Sequence, residues 1–482
     1  MKYFILFFSL LFCVFLATSS AQNIMRPEAN DSTKNTGMAH GNKLLIISIN
    51  VLGNKKTKTY IILRELHFKV GDSITTSDLN KNLIQAKQQV YNTRLFTDVQ
   101  VTPEFISAFE IKINVVVKEK WYLYPTPQFQ LVDRNFNEWL KTYNASLSRV
   151  IYGAKFAHYN LSGRRDQLRI YLLSGYARNI TFSYLAPASN MSLTEGFGVS
   201  AGYTQNREIS YRTSYLNKLL QYKNDSSFAR TAFNSFVTYY VRKGLFKSHF
   251  YRFGFSHIAV TDSVLSSGFN PLYFNTNHSS ISYPDVVYGF QYSNTDNNNY
   301  PLKGKVYAVT FLKRGTGSTG GINMFSIDAA MNKYFSSTNN WYSSIEIVSK
   351  IKLPFTQAYI NQGALGYQGF YLHGLEYYVV DGVAAMLARS TLKKKIIAFK
   401  IPLPFHLKAL PTIPITLFAK TFVDGGYSYN KKALDTRLNN RLLYTGGFGI
   451  DLLTFYDINL KIEYSFNQLG ENGLFLHAKG GF

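Results

Sequence analysis

The stretch Ile458-Asn459-Leu460-Lys461-Ile462-Glu463-Tyr464-Ser465-Phe466 alternates apolar and polar residues without a break. A short polar turn, Asn467–Gly473, follows it, and the alternation then resumes. Period-two alternation is typical of a strand with one apolar face. We therefore predict a hairpin here. The apolar face of its last strand carries Leu474, Leu476, Ala478 and Phe482.

Strands and polar loops continue over the whole of 121–482. Tyr251–Ser256 alternates in the same way, and loops such as Tyr292–Asn299 separate the segments. The length of this region suits about sixteen strands of ~10 residues with uneven loops, and about fourteen or eighteen fit nearly as well. Since lipid-exposed backbone cannot leave unpaired edges, we predict a closed transmembrane β-barrel of antiparallel strands.

The N-terminus has the features of a secretory signal peptide, 1–21. Lys2 precedes an apolar core, Phe4–Ala17, and small residues end at Ala21. We expect 22–43 to be a flexible linker because it is polar and irregular. The only cysteine, Cys13, falls inside the signal, so no disulfide or thiol chemistry is expected.

Composition narrows the class further. No window offers about 18 uninterrupted apolar residues, which excludes a membrane helix. Aromatic residues make up 16% of the chain, with 36 Tyr and 38 Phe, as strands and interfacial girdles require. The net charge is +24, and the basic residues are scattered along the chain rather than clustered. Because an exported protein does not meet nucleic acid, we do not expect nucleic-acid binding. These cations would face anionic lipid head groups or acidic client segments, or form a solvated surface without a partner.

Residues 44–119 have a different pattern, that of a small α/β domain of order β-α-α-β-β. Leu45–Val51 predicts a strand and Thr57–Leu66 a first helix. Thr76 or Ser77 would cap a second helix, and 98–101 and 109–117 predict the remaining strands. One helical face of the second helix carries Leu79, Leu83, Ala86 and Val90.

This unit resembles a POTRA domain, the periplasmic module of the BamA/TamA-type outer-membrane assembly family. The resemblance rests on Val51–Asn54, Ile61–Glu65, Gly71-Asp72 and, most specifically, Gln89–Val99. It continues downstream at Asn160–Leu168, Leu372-His373-Gly374-Leu375-Glu376, Phe422–Gly426 and Gly447–Leu452. It implies one POTRA domain followed by a barrel, located in the bacterial outer membrane with the POTRA domain in the periplasm.

The resemblance also implies a candidate site inside the barrel. In the family, an arginine on a loop folded into the lumen pairs with an acid on the inner wall. Here the arginine position is His373, the following aromatic is Leu375, and the acid is Asp424. Because an imidazole is neither a fixed nor a bidentate cation, either His373 pairs weakly with Asp424 or the anchor lies elsewhere. An unpaired His373 is the alternative.

Two further interaction sites are predicted. The edge of the first strand, at Ile47, Ile49 and Val51, is a candidate for binding client strands by β-augmentation, although these residues also suit an ordinary core strand. The terminal strand that ends on Phe482 is predicted to face lipid, and it is also a candidate insertion signal. The two end strands, near Tyr122–Leu131 and Leu474–Phe482, would form a weak seam.

Catalytic motifs are absent from the sequence: it has no His-Glu-x-x-His, no Gly-x-Ser-x-Gly and no phosphate loop that precedes a helix. We expect no enzyme, no cofactor and no metal. The expected function is insertion, assembly or translocation of other proteins at the outer membrane. Expected partners are unfolded outer-membrane or secreted clients, the lipid bilayer, and accessory periplasmic proteins or lipoproteins. The alternatives are a two-partner-secretion-type transporter for one substrate and a passive pore or surface antigen.

Overall fold

The computed structural model describes residues 43–132, 144, 146–190, 192–317, 321–367, 369–402, 412–431, 436–454 and 458–479. The predicted signal peptide and all but Lys43 of the predicted linker lie outside the described residues, as does Phe482.

An N-terminal α/β unit comes first. Its elements are β1 (Lys43–Leu52), α1 (Thr59–Leu63), β2 (Ser73–Thr75), α2 (Thr76–Tyr91), β3 (Phe96–Phe105) and β4 (Glu110–Glu119). They form one sheet of order β2-β1-β4-β3, in which β1 and β4 run parallel. The strand β2 was not predicted, and α1 is shorter than the predicted 57–66. Lys58 at its N-cap makes no side-chain cap bond.

Helix α2 packs on this sheet through the predicted face, since Leu79, Leu83, Ala86 and Val90 are all buried. The predicted cap was wrong by one residue. The N-cap is Thr75, whose hydroxyl accepts a hydrogen bond from the Asp78 N–H at 3.3 Å. A capping hydroxyl satisfies one of the amides that a helix start leaves unpaired.

In the rest of the described chain the regular elements are strands, joined by loops and short 3₁₀ turns. Its elements are β5 (Leu123–Leu131), β6 (Val150–His158), β7 (Gln167–Gly175), β8 (Ala177–Ala186), β9 (Glu195–Asn206), β10 (Glu208–Thr213), β11 (Leu219–Lys223), β12 (Arg230–Lys243), β13 (Lys247–Val260), β14 (Ser280–Thr295), β15 (Gly304–Arg314), β16 (Met324–Ser336), β17 (Trp341–Leu353), β18 (Gly363–Leu365), β19 (Val380–Asp381), β20 (Ala384–Pro402), β21 (Thr412–Tyr429), β22 (Leu442–Leu453), β23 (Asn459–Asn467) and β24 (Asn472–Lys479). Short 3₁₀ turns occur at Leu147–Arg149, Asp262–Leu265 and Tyr359–Asn361.

Sixteen of these strands form one antiparallel sheet, which confirms the predicted number. Neighbours in the sheet follow chain order, except that β9 pairs with β12 and β17 with β20. The first gap holds the hairpin β10–β11, and the second holds a long connection that contains β18 and β19. Strands β5 and β24 end the sheet, and among the described residues no ladder joins them.

The closing strands turn their apolar side chains outward and bury their polar ones. In β23, Ile462 and Phe466 are 46% and 48% exposed, whereas Glu463 and Ser465 are 1% and 0% exposed. Water-soluble proteins have the opposite pattern, with apolar side chains buried and polar ones exposed. The observed pattern is that of a β-barrel with a lipid-facing outer wall and a polar lumen. In the described residues, none of the helices has the length and apolar character needed to span a bilayer.

The N-terminal unit contacts the end of the barrel that carries the β12–β13 and β14–β15 turns, here called the proximal end. Glu65 receives two hydrogen bonds of 2.6 Å from Arg242 of β12. Asn92, after α2, donates to the Thr295 carbonyl at 2.9 Å and accepts from the Asn298 N–H at 2.9 Å. The opposite end of the barrel is called distal.

An arginine on the outer face of β23 tests the orientation of this wall. Ile462→Arg is expected to lower the free energy of unfolding by about 2–4 kcal/mol in lipid vesicles, because it places a charge in hydrocarbon. Urea unfolding followed by tryptophan fluorescence measures the change. Leu216→Arg, at a residue in the β10–β11 turn that is 51% exposed, is the control and should stay within about 0.5 kcal/mol. Equal tolerance at both positions would contradict an outward, lipid-facing Ile462.

Candidate functional site

The candidate site is the connection between β17 and β20, residues 354–383, here called the inner loop. It folds into the lumen and packs against the inner wall, where Leu372 and Leu375 are 1% and 4% exposed. Gly374 has φ +84°, and a Cβ there would come within 2.9 Å of the Ser465 side chain. The predicted motif 372–376 therefore lies against the closing strands, and glycine permits the close approach.

His373 and Asp424 are in contact. The His373 backbone N–H donates to Asp424 Oδ2 at 2.9 Å, and the ring Nδ1 lies 2.7 Å from the same oxygen. The Asp424 side chain is 0% exposed. The geometry thus brings together the two residues that the resemblance implied, and the carboxylate holds the main chain of the loop as well as its side chain.

The wall also supplies an arginine that sequence reasoning missed. Arg389 of β20 is the direct cross-strand partner of Asp424, and its Nε lies 3.7 Å from Asp424 Oδ2. Its guanidinium donates to the Tyr371 carbonyl in the inner loop. A guanidinium of the wall therefore bridges the inner loop and the Asp424 carboxylate. No spacing rule predicts this, because Arg389 and Asp424 become neighbours only through strand register.

A second group of charges lies beside the first. Glu463 of β23 pairs with Lys420 and lies 3.3 Å from His477 Nε2 of β24. His477 also lies 3.5 Å from Glu376 of the inner loop, and its ring stacks on Tyr371. Buried charges require such partners. The inner loop therefore contacts β24, the last strand of the sheet, through Glu376 and Tyr371.

The base of the inner loop is held by a buried lysine. Lys352 of β17 is 6% exposed, and its ammonium donates to the carbonyls of Asn361 and Gly363 at 2.7 and 2.6 Å. At 3.4 Å it also reaches the carbonyl of Gly382, at the other end of the loop. One side chain thus ties both ends of the loop to the wall.

A proximal turn enters the lumen from the opposite end. Tyr300, between β14 and β15, is 5% exposed and donates to Asp451 Oδ2 at 2.7 Å. The Lys393 ammonium lies 3.0 Å from the Tyr300 hydroxyl and 3.0 Å from Asp451 Oδ2. The Lys420 ammonium lies 2.5 Å from Asp451 Oδ1. Lys420 therefore joins Asp451 to Glu463, so the turn and the inner loop share one charge network. The sequence indicated only a polar loop here.

The other predicted site residues lie apart from this network. Leu474 and Leu476 point outward at 62% and 72% exposure, and Ala478 is exposed too. Ile47, Ile49 and Val51 lie in β1, and all three are half-buried. In the described residues, β2 pairs only with 43–45, and no strand covers that edge of β1 beyond Ile46.

The chemistry of the candidate site is that of a structural anchor. In the part of the chain that the structure describes, no group of three or more His, Cys, Asp or Glu residues is placed to hold a metal. Every cation named above lies against a carboxylate or a carbonyl, an arrangement that fixes positions rather than one that binds a substrate.

A double-mutant cycle tests the His373–Asp424 contact. Asp424→Ala removes the acceptor of both His373 hydrogen bonds, so we expect a loss of about 2–3 kcal/mol in unfolding free energy. His373→Ala keeps the backbone bond and should cost about 1 kcal/mol. The double variant should resemble Asp424→Ala alone, as measured by urea unfolding in lipid vesicles. Small, additive losses would show that the contact does not hold the loop.

Comparison with known proteins gives one family match. Residues 45–120 match the POTRA family model, described as "Surface antigen variable number repeat". No curated protein matches the chain. The match confirms the POTRA domain that the sequence predicts, and the structure has its α/β elements in these residues.

Three solved structures are similar over most of the chain. BamA from Haemophilus ducreyi lacking POTRA domains 1–3 is 16% identical, with a TM-score of 0.48, and covers 91% of this chain and 84% of its own. CdiB from Acinetobacter baumannii is 10% identical, with a TM-score of 0.45 and coverage of 89% and 71%. CdiB from Escherichia coli is 10% identical, with a TM-score of 0.44 and coverage of 93% and 91%. At these scores the three are similar structures and no more. The chain thus combines a POTRA domain with a sixteen-stranded β-barrel, the domain order of the BamA/TamA-type outer-membrane proteins that its sequence resembles.

Proposed function

We propose that this protein assists the insertion and assembly of other proteins at the bacterial outer membrane. The proposal assigns 44–119 to a periplasmic POTRA domain and 121–482 to the barrel. The proximal end then faces the periplasm and the distal end the cell exterior. Its clients are unfolded outer-membrane or secreted proteins, and lipid and accessory periplasmic proteins or lipoproteins are its other partners. The observation that carries the proposal is the pair of terminal strands, β5 and β24, between which the described residues form no ladder.

The sequence of β5 supports a weak seam. Pro125 and Pro127 lie within it, and a proline has no N–H to donate. Residues two apart in a strand direct their backbone groups to the same edge, so both missing donors lie on one edge. The register with β6 is continuous from 123 to 131, and prolines in sheets are confined to edges without a ladder partner. We therefore assign the donor-poor edge to the side that faces β24.

A seam of this kind can accept a client strand. The exposed carbonyls of β5 and the outer edge of β24 offer backbone partners, and the outward Leu474 and Leu476 extend an apolar face into the bilayer. The client would gain backbone hydrogen bonds and lipid burial as it folds, so no nucleotide is needed. His477 and Glu376 connect β24 to the inner loop, which would limit how far the seam opens.

The POTRA domain contributes a second open edge. Beyond Ile46, the edge of β1 with Ile47, Ile49 and Val51 has no strand partner among the described residues. Extended client segments would pair with this backbone by β-augmentation before they reach the seam. The side chains of Ile49 and Val51 pack against the domain core, so recognition would depend on the client backbone rather than on its sequence.

A passive pore fits the lumen less well. The inner loop occupies it, and the buried Asn217 at the tip of the β10–β11 hairpin donates to the Val379 carbonyl at 3.0 Å. The same Asn217 accepts from the Leu438 N–H at 2.9 Å, so a second distal loop is held too. The occupied lumen does not argue against a dedicated transporter. Depletion with quantitative proteomics distinguishes that alternative from general assembly.

Depletion of the protein followed by quantitative outer-membrane and secreted proteomics tests the function. The proposal predicts that several barrel proteins fall together in the outer membrane while their periplasmic precursors accumulate. Loss of one secreted protein with normal barrel levels would indicate the dedicated transporter instead. Unchanged proteomes would indicate a pore or surface antigen.

Restoring the missing donors tests the seam. Pro125→Thr with Pro127→Thr should allow β5 to pair with β24 and stabilise the barrel by about 0.5–1.5 kcal/mol per new hydrogen bond. Client insertion into proteoliposomes should slow, because the seam must open first. Pro284→Thr, in β14 away from the seam, is the matched control and should leave insertion unchanged. An insertion rate that the double variant does not reduce would rule out the seam as the entry route.

A further inference from the structure

A small cavity lies between the POTRA domain and the barrel, with a volume of about 250 Å³. The POTRA side contributes residues from α1 to the end of α2, and the barrel side contributes the proximal ends of β12–β14 and neighbouring turns. It is separate from the inner loop and its charge network. Its lining mixes charged and amide side chains with apolar ones, and the space would admit a small ligand with some hydration water.

The charges around this cavity are unbalanced. Among the described residues that line it, Arg64, Arg165, Arg242 and Lys247 are cationic, and Glu65 is the only carboxylate. Both Glu65 oxygens are already engaged, because each accepts a hydrogen bond of 2.6 Å from Arg242. The remaining positive charge has no equivalent counter-charge on the cavity wall.

Two guanidiniums are left without an acceptor. In the described parts of the chain, neither the Arg64 nor the Arg165 side chain has a hydrogen-bond or ion-pair partner within bonding distance. Burial is the main cause that lowers the pKa of each to about 10, and the Arg242 charge acts in the same direction, whereas the Glu65 carboxylate acts against it. Both groups therefore remain charged at neutral pH, although their surroundings disfavour the charge. Such an arrangement is stabilised by a bound anion.

We propose that this cavity binds a phosphate-type oxyanion, held by Arg64 and Arg165. The planar guanidinium fork matches the oxygens of a phosphate group, and Lys247 and Gln89 line the same space as further donors. Because Arg64 belongs to the POTRA domain and Arg165 to a barrel turn, the anion joins the two domains. The phosphate can come from free inorganic phosphate or from a phospholipid head group of the adjacent leaflet.

Titration of the full-length protein in neutral detergent tests the site with two probes. Inorganic phosphate is added during isothermal calorimetry, and phosphatidylglycerol is presented in nanodiscs, with zwitterionic phosphatidylcholine, whose net charge is zero, as the reference. Arg165→Gln should weaken binding at least about tenfold, the loss of one charge-assisted contact. Arg165→Lys, which keeps the charge but not the fork, should give an intermediate loss. Arg212→Gln, an exposed arginine on β10, is the matched control and should bind as the unaltered protein does.

The two probes separate the sources. Binding of inorganic phosphate that depends on Arg165 supports a free anion, and binding of phosphatidylglycerol alone that depends on Arg165 supports a lipid head group. Arg64→Gln repeats the test from the POTRA side, so that misfolding of one variant does not decide the outcome. If neither probe binds, or if both variants bind like Arg212→Gln, the proposal is overturned.

Discussion

The barrel depends on a single constraint: charged side chains that face inward must find partners inside the wall. Asp424, Asp451 and Glu463 sit on three consecutive strands, and each is at most 1% exposed. A buried carboxylate without a partner costs several kcal/mol. The partners come from elsewhere in the chain, from the inner loop, from β20 and from the proximal turn. The contacts that compensate these buried carboxylates therefore also hold in place the segments that fill the lumen.

This arrangement connects the POTRA domain to the closing strands through direct contacts. Asn92 after α2 holds the proximal turn, and Tyr300 of that turn reaches Asp451. Lys420 lies between Asp451 and Glu463, and Glu463 faces His477 on the last strand. These contacts form a continuous series from Asn92 of the POTRA domain to His477 of β24. Functional coupling along this series requires that its contacts have two discrete arrangements.

Much of this fold could be predicted from the residues alone. Period-two alternation predicted the closing hairpin, and the spacing of Leu79, Leu83, Ala86 and Val90 predicted the buried face of α2. The site was predicted only in part. His373 and Asp424 were found through a family motif, whereas Arg389 and Tyr300 were missed. Their partners lie on other strands, and cross-strand register has no local signal. The two prolines of β5 can be read from the sequence, but only the strand order shows that β5 ends the sheet and that their missing N–H groups belong to its free edge.

Hydrogen exchange of the inner loop tests the central claim most directly. If inward carboxylates hold this loop, peptides that span 369–379 exchange slowly, since the His373 amide is bonded to Asp424 and the Val379 amide to the Asn217 carbonyl. Asp424→Asn should speed exchange in these peptides while leaving those of β15 and β16 unchanged. Exchange at the rate of an unstructured loop in the unaltered protein would contradict the account.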